Sequence, residues 1–212
     1  MAPEKLSLVL IIITTFLLLF FERASGLDRC QDYLPLVRNA SIQFLGPNYP
    51  YHYNLGQLQQ ESRCRNVVSF DMGRGLAQFM DGTTKYVNKI YGTNLDPMNP
   101  EHAIKLQAMY MSQIEKKENF SDRLWISYQI YNGGRKTLYQ EYERAGEINW
   151  NKMKDVCKRR VITLKNGSKL DMCEVNYDYS MKIYRYGNQY RTYSKDGRRF
   201  WIKERESINQ IK

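Results

Sequence analysis

The sequence has few of the residues from which metal sites are built. It contains only two histidines, His52 and His102, and its four cysteines form no CxxC pair. Protein zinc sites draw on closely spaced cysteine, histidine and carboxylate ligands. We therefore predict neither a metal site nor a cofactor for this chain.

Internal repeats, coiled-coil heptads and low-complexity runs are also absent from the sequence. A hydrophobic content of 42% is ordinary for a globular protein, which excludes disorder as the main state. At 212 residues, the chain is long enough for one good core and a small second unit.

Excess charge is missing from the first 150 residues and is concentrated in the rest. Residues 151–212 carry 16 Lys and Arg against 7 Asp and Glu, whereas residues 1–150 carry 16 against 15. A local basic surface implies an anionic partner such as a polyanionic polymer, an acidic lipid or nucleic acid. Basic and aromatic residues interleave there, as they do in single-strand nucleic-acid binders, but the same pattern is typical of a sheet with one solvated and one packed face.

The first 26 residues have the pattern of an export signal. Lys5 precedes an apolar run over residues 6–21, and small residues follow over residues 24–26. The run would make roughly 24 Å of helix, which is short of the ~30 Å hydrocarbon core of a membrane. We favour a cleaved signal peptide over a retained membrane anchor, and either alternative puts the remaining chain outside the cytoplasm.

Export favours disulfides among the four cysteines, whose number permits three pairings. A bridge between Cys30 and Cys64 would hold the entry segment against the helix that carries Glu61. A bridge between Cys157 and Cys173 would close a small hairpin and limit the unfolded ensemble. Four buried or free thiols in a reduced compartment are the alternative.

The period of the hydrophobic pattern changes near residue 150. Over residues 54–145 helical spacing predicts successive helices, one of them capped by Asn99 with Pro100 in its first turn. Beyond residue 150, alternation predicts strands. These strands are a hairpin over residues 160–175 with its turn at Asn166-Gly167, a second hairpin over residues 181–193, and a strand over residues 199–203 after Asp196-Gly197. The predicted fold class is α+β, with a mainly α-helical domain over residues 27–150 and a small, basic, β-rich antiparallel unit over residues 151–212.

The strongest candidate for chemistry is the stretch over residues 59–80, QQESRCRNVVSFDMGRGLAQFM. Glu61 lies on a predicted helix, and an isolated helical glutamate is a weak catalytic signal. Three later blocks of sequence strengthen the prediction that Glu61 is catalytic. They are Gly75-Leu76-Ala77-Gln78-Phe79-Met80, Asn99-Pro100-Glu101 at the start of a helix, and Tyr131-Asn132-Gly133-Gly134.

In this order and spacing, residues 50–135 resemble the soluble-type lytic transglycosylases, lysozyme-like enzymes that cut the glycan strands of peptidoglycan. Members of that family have Glu-Ser, then Gly-Leu-Met-Gln followed by an apolar residue and Met, then Ala-Tyr-Asn-Ala-Gly. The chain departs from this pattern at Cys64, Ala77, Asp81, Ile130 and Gly133. The departures bear on substrate preference more than on the reaction.

The resemblance implies that Glu61 protonates the oxygen between N-acetylmuramic acid (MurNAc) and N-acetylglucosamine (GlcNAc). Glu61 would then take a proton from the 6-hydroxyl of the muramic acid, whose attack closes a 1,6-anhydro ring. Burial would raise the pKa of Glu61 and keep it protonated, whereas we expect Asp71 to be exposed. Tyr131 would orient Glu61 by a hydrogen bond. The substrate-binding residues that the resemblance implies are Ser62, Gly75, Gln78, Phe79, Met80, Tyr128, Tyr131 and Asn132.

We therefore expect a peptidoglycan lytic transglycosylase, exported to the periplasm or cell envelope and used for local wall lysis by a phage or by a secretion or conjugation system. Its partners would be the glycan strand and, through the basic unit, an anionic envelope surface. Nucleic acid is disfavoured, and the membrane would be contacted only through residues 6–21 if they are retained. Two alternatives stay open, namely a hydrolytic muramidase and a non-catalytic wall-binding or assembly protein that keeps the fold.

Overall fold

The computed structural model describes residues 29–117, 123–158, 161–164 and 166–191. The export segment, the turn at Asp196-Gly197 and the strand predicted over residues 199–203 lie outside these residues. The helices and strands are α1 (Leu34–Leu45), α2 (His52–Ser62), α3 (Asp81–Tyr91), α4 (Pro100–Lys117), α5 (Leu124–Gly133), α6 (Arg135–Ala145), α7 (Trp150–Asp155), β1 (Val161–Thr163), β2 (Lys169–Asp171) and α8 (Met172–Gln189). In the part of the chain so described, no helix is both long and apolar enough to cross a bilayer.

Local sequence rules account for the helix boundaries. Asn99 accepts a hydrogen bond of 3.1 Å from the His102 amide, and Pro100 occupies the first turn of α4, as predicted. Helices α3, α5 and α6 end immediately before Gly92, Gly134 and Gly146, respectively. The helical part of the sequence prediction is therefore confirmed.

Helix α2 is the most enclosed element of the core. All of residues 52–59 are buried, and α8 packs along this helix. A Cβ placed on Gly56 would lie 2.5 Å from the backbone nitrogen of Gly187, and one on Gly187 would lie 2.3 Å from Cδ1 of Tyr53. The two glycines thus allow α8 to approach the helix that carries Glu61 more closely than any larger residue would permit.

Two disulfides each join a connecting segment to a neighbouring helix or turn. Cys30 pairs with Cys64, with their Cα atoms 5.3 Å apart, and Cys157 pairs with Cys173 at 6.0 Å. The first bridge joins the entry segment to the residues just after α2. The second joins the segment after α7 to the first turn of α8. Both pairings were among those predicted.

The strand predictions are correct for the first hairpin and wrong for the second. β1 and β2 pair antiparallel with Ile162 opposite Leu170, in agreement with the hairpin predicted over residues 160–175. Residues 181–189 are instead the second half of α8, which begins where Asp171 accepts a hydrogen bond from the Cys173 amide.

The reason for the error is that the core face of α8 has helical spacing. Its buried residues include Cys173, Tyr177, Ser180, Ile183 and Gly187, three or four positions apart. The alternation of tyrosine with charged residues around position 185 lies on the remaining faces of the same helix. The predicted mainly helical fold with a small antiparallel sheet is confirmed, but the described sheet has only the strands β1 and β2.

Candidate active site

A cleft of about 1170 Å³ opens beside the C-terminal end of α2. We call one part of its lining the motif side. It consists of Gln60, Glu61, Ser69, Phe70, Asp71, Gly73, Gln78, Met80, Tyr131 and Asn132. The other part, the α8 side, consists of residues from α7 and α8. These are Trp150, Asn151, Lys154, Asp155, Glu174, Val175, Asp178, Tyr179, Met181, Lys182, Tyr184 and Arg185.

Glu61 is the half-buried carboxyl group at the junction of the two sides. Its Oε1 accepts a hydrogen bond from the hydroxyl of Tyr179, a residue of α8. Burial raises the pKa of Glu61 to about 8, since removal from water disfavours the ionised form. The hydrogen bond from Tyr179 lowers this pKa, and the charge of Asp71 raises it. Glu61 is therefore mostly protonated at neutral pH, as the resemblance implied.

Helix α2 ends directly after Glu61 and Ser62. Arg63 and Cys64 both adopt left-handed backbone conformations, with φ of 54° and 53°, and the amide of Cys64 donates to the carbonyl of Leu58. The disulfide to Cys30 holds this turn in place. Glu61 is consequently presented by the last turn of a rigid helix.

The loop after α2 folds back as a small hairpin. Isolated bridges join Val68 to Arg74 and Arg74 to Phe79. At Gly75, where φ is +73°, an added Cβ would lie 1.7 Å from the carbonyl oxygen of Pro97, so only glycine fits. Gly75 therefore serves close backbone packing inside the loop, and it is not among the residues that line the cleft.

Gln78 is aimed into the cleft by hydrogen bonds within this loop. Its Nε2 donates to the carbonyls of Gly75 at 2.8 Å and Val67 at 3.2 Å. Its Oε1 is 2.8 Å from the point at which a Cβ on Gly73 would lie. A side chain at Gly73 would thus displace the Gln78 amide. With glycine there and Nε2 bonded within the loop, Oε1 of Gln78 is the acceptor on the motif side.

Tyr131 and Asn132 connect α5 to its neighbours. The hydroxyl of Tyr131 donates to the carbonyl of Ala77 at 2.8 Å, so the hydrogen bond to Glu61 expected of Tyr131 is made by Tyr179. Burial, followed by the charge of Glu61, raises the pKa of Tyr131 well above its usual value. Nδ2 of Asn132 donates to Oδ1 of Asn176 at 2.8 Å. Both residues line the cleft and brace it.

Four of the residues that the resemblance assigned to the substrate do not line the cleft. Ser62 is buried and donates to the carbonyl of Leu76 at 2.8 Å, which ties α2 to the loop. Phe79 packs edge-on against Tyr131, with ring centroids 5.9 Å apart. Tyr128 is fully buried, and its hydroxyl donates to Oδ1 of Asn54 at 2.8 Å. With Gly75, these residues support the wall rather than form its surface.

Three cleft features were missed by sequence reasoning. Tyr179 lies between the two predicted hairpins and was given no role, although its position on the helical period of α8 was a usable signal. Phe70 has 88% of its surface exposed and lines the cleft from the tip of the loop. Asn176 fills the space beside Gly133, where an added Cβ would lie 2.7 Å from its amide atoms. The departure from alanine at Gly133 thus makes room for α8.

The α8 side is rich in paired charges. Lys154 lies 3.1 Å from Glu174, and Lys182 lies 2.7 Å from Asp178 on the next turn of α8. Exposed pairs of this kind contribute little to stability. They give the α8 side a polar surface of both signs, which suits a ligand with hydroxyl and amide groups.

No group of three or more histidine, cysteine, aspartate or glutamate side chains that could hold a metal ion occurs among the described residues.

Comparison with known proteins gives a consistent result. Residues 53–153 match the family model of the Transglycosylase SLT domain. The 70 kDa soluble lytic transglycosylase from Escherichia coli has a similar fold, with a TM-score of 0.57 and 19% identity over 73% of this chain and 24% of that one. An inactive mutant of the lytic transglycosylase Slt from Pseudomonas aeruginosa gives a TM-score of 0.52 and 18% identity over 69% of this chain and 22% of that one. A search of curated protein sequences found no match.

The likeness to these solved structures shows a lysozyme-like fold. Residues 53–153, just under half of the chain, match the transglycosylase SLT domain, and the resemblance to the soluble-type lytic transglycosylases is confirmed. The chain spans about a quarter of the length of the solved relatives that it matches.

Proposed function

We propose that this chain is a peptidoglycan lytic transglycosylase that cleaves the β-1,4 bond between MurNAc and GlcNAc, with Glu61 as its general acid and then its general base. The observation that carries the proposal is the state of Glu61 in the cleft. Its pKa of about 8 keeps a proton available at neutral pH, and Tyr179 occupies only one of its two oxygens. The match to the SLT domain supports the same assignment.

The reaction needs one carboxyl group used twice. Glu61 gives its proton to the glycosidic oxygen as the bond from that oxygen to C1 of MurNAc breaks. The 6-hydroxyl oxygen of the same sugar then bonds to C1, and its proton returns to Glu61. No water is consumed, and the product is a 1,6-anhydro-muramyl end.

Several groups on the motif side suit a sugar substrate. Oε1 of Gln78 offers an acceptor to a hydroxyl or acetamido group, and Asn132 offers an amide. Met80, with 47% of its surface exposed, and Phe70 present apolar surface to the flat faces of sugar rings. These four residues are our proposed substrate contacts, and Ser62, Gly75, Phe79 and Tyr128 are proposed to position them.

Hydrolysis is the second candidate function, and Asp71 is the observation that favours it. Asp71 lines the same cleft as Glu61, and its charge acts on the pKa of Glu61. Most glycoside hydrolases need a second carboxylate of this kind to activate water or to attack the sugar. We rank this function second because Asp71 is exposed and accepts a hydrogen bond from Ser69 of its own loop.

Product analysis decides between these functions. Purified peptidoglycan is digested with the wild-type protein and with Glu61→Gln, and the released muropeptides are identified by mass spectrometry. We expect anhydro ends, lighter than reducing ends by one water, from the wild type only. Reducing ends would establish hydrolysis, and Asp71→Asn should then abolish their release. An absence of any cleavage product, from a protein that still binds peptidoglycan, would favour a non-catalytic wall-binding role.

We also propose that the protein works outside the cytoplasm, in local wall lysis associated with a phage or with a secretion or conjugation system. The two disulfides support an oxidising compartment. The basic residues beyond position 150 support contact with an anionic envelope surface. Fractionation of cells that produce the full chain, followed by sequencing of its N-terminus, would test export and cleavage after residue 26.

A further inference from the structure

Behind Tyr179, a row of buried amide side chains leads away from the cleft. Oη of Tyr179 accepts a hydrogen bond of 2.9 Å from Nε2 of Gln57, one turn before Glu61 on α2. Oε1 of Gln57 accepts one of 2.7 Å from Nε2 of Gln107 on α4. Gln57 and Gln107 are both almost completely buried, with exposures of 0% and 1%.

The hydrogen bond between Gln107 and the Asn54 carbonyl, at the end of the row away from the cleft, fixes the direction of every other hydrogen bond in the row. Nε2 of Gln107 also donates to the backbone carbonyl of Asn54 at 3.0 Å, and a carbonyl can only accept. The amide of Gln107 is thereby oriented with its nitrogen toward Gln57. Gln57 must accept through Oε1, which turns its own nitrogen toward Tyr179.

The consequence reaches Glu61. Since an amide nitrogen can only donate, Oη of Tyr179 is the acceptor from Gln57, and the single hydroxyl hydrogen of Tyr179 is left for Oε1 of Glu61. Burial, followed by the charge of Glu61, raises the pKa of Tyr179 well above its usual value, so this hydrogen is retained. An oxygen that already accepts from Tyr179 is the poorer place for the acidic proton of Glu61.

We propose that Gln57 and Gln107 are positioning residues that orient the Tyr179 hydroxyl and so place the transferable proton of Glu61 on Oε2. This inference rests on the proposed function only in taking Glu61 as the acid. The row spans three elements, α2, α4 and α8. It gives the acid a fixed donor on one oxygen and a single oxygen from which to deliver its proton.

The test replaces Gln57 by methionine, which keeps the side-chain length and removes the donor. The hydroxyl of Tyr179 is then free to turn, and its hydrogen bond to the ionised form of Glu61 weakens. Because that hydrogen bond lowers the pKa of Glu61, we expect the pKa to rise by about one unit in Gln57→Met. The pKa is read from the carboxyl ¹³C chemical shift of Glu61 in labelled protein, which requires no activity.

Activity supplies a second measurement. We expect the rate of anhydro-muropeptide release to fall by about two- to tenfold at its plateau. The alkaline limb of the pH profile should move to higher pH, because the protonated acid persists further. Tyr179→Phe should cause the same shift, and the double variant should behave like Tyr179→Phe alone, since both changes act through one hydrogen bond.

A matched control is available on the same helix. Gln59 is also buried on α2 and also bonds a tyrosine, with the hydroxyl of Tyr190 donating to its Oε1 at 2.8 Å, but this pair does not lead to Glu61. Gln59→Met should leave the pKa of Glu61 and the pH profile unchanged. Thermal unfolding of each variant identifies any that fails to fold, and Gln107→Met then replaces Gln57→Met.

The outcomes separate this inference from the proposed function. An unchanged pKa of Glu61 in folded Gln57→Met or Gln107→Met would overturn the positioning role, whatever reaction the protein catalyses. Equal shifts in Gln59→Met would assign the effect to general loosening of α2 and would also overturn it. If the pKa moves as expected while no anhydro product appears, the positioning role stands and the proposed function fails.

Discussion

The two sides of the cleft are built in contrasting ways. The loop of the motif side is a short hairpin held by its own backbone, with bridges from Arg74 to Val68 and Phe79 and a glycine against Pro97. Most of the α8 side is a face of α8, an 18-residue helix that packs against α2 and α5, and the rest comes from α7. Glu61 belongs to the motif side, and its hydrogen-bond partner Tyr179 comes from α8. The motif side thus supplies the carboxyl group that we propose as the acid, whereas the α8 side supplies the hydrogen-bond donor to that carboxyl.

The largest expected effect comes from removing the carboxyl itself. Glu61→Gln keeps the shape of the side chain and can still accept from Tyr179, but it cannot transfer a proton. We expect anhydro-muropeptide release to fall by about 10²–10⁴-fold. Initial rates on purified peptidoglycan measure this, with circular dichroism to show that the variant is folded. Retention of more than a tenth of the rate would contradict the assignment of Glu61.

The next largest effect is expected from Gly56→Ala, which disrupts the contact between α2 and α8. In Gly56→Ala, the new Cβ would lie 2.5 Å from the backbone of Gly187, which cannot turn away as a side chain can. We expect the free energy of unfolding to fall by about 1–3 kcal/mol and the rate to fall with it, as Tyr179 is carried away from Glu61. Urea unfolding and initial rates measure the two effects.

Gly82→Ala is the control for this change. Gly82 lies in the first turn of α3, its φ is not positive, and no atom lies within 4 Å of an added Cβ. Alanine there should leave stability unchanged or raise it by a few tenths of a kcal/mol. If Gly56→Ala were as stable as Gly82→Ala, the close approach of α2 and α8 would not be needed for the fold.

A smaller effect is the pH dependence of stability that follows from the burial of Glu61. The pKa of Glu61 is raised from 4.5 to about 8, so the folded state binds more protons than the unfolded state between these values. Stability should therefore fall as pH rises from about 5 to about 8. Glu61→Gln lacks this titration. As pH rises through this window, the melting temperature of the wild type should therefore fall relative to that of the variant. A constant difference across the window would show that the pKa is not raised.

The smallest effect concerns the rim of the motif side. Phe70→Ala removes an exposed ring that lines the cleft, so we expect KM for soluble glycan strands to rise by about two- to tenfold, with stability unchanged. Met72→Ala is the matched control, because Met72 is also exposed on this hairpin, at 65%, but does not line the cleft. Equal effects of the two substitutions would show that the apolar hairpin tip acts on something other than the glycan in the cleft.

Much of the motif side could be predicted because its signals are local. The cap at Asn99 and the glycine after α3 follow from short stretches of sequence, and the blocks that carry the family resemblance place Glu61 and Gln78 at the cleft. The sequence allowed three cysteine pairings, of which the structure has the two that were singled out. The direction of individual side chains could not be predicted in the same way. Ser62, Phe79 and Tyr128 belong to the right motifs but point into the core, because whether a loop or helix residue faces ligand or protein depends on packing that spacing does not encode.

The α8 side escaped prediction for a different reason. Tyr184 and Tyr186 alternate with charged residues, which suggests a strand, and the competing helical period is visible only across the longer set of buried positions from Cys173 to Gly187. Even a correct helix prediction would not have paired Tyr179 with Glu61. That contact depends on how α8 crosses α2, and the two glycines at the crossing show the reason only after the helices are placed.

The sequence separation of 118 between Glu61 and Tyr179 has a consequence for the rate of folding. Contacts between residues so distant in sequence close a long loop of chain, and such contacts are slow to form during folding. Until α8 has been synthesised and has docked on α2, Glu61 stays in water with the acidity of an ordinary glutamate and carries no proton at neutral pH. Glu61 thus acquires its raised pKa only when nearly all of the described fold is complete.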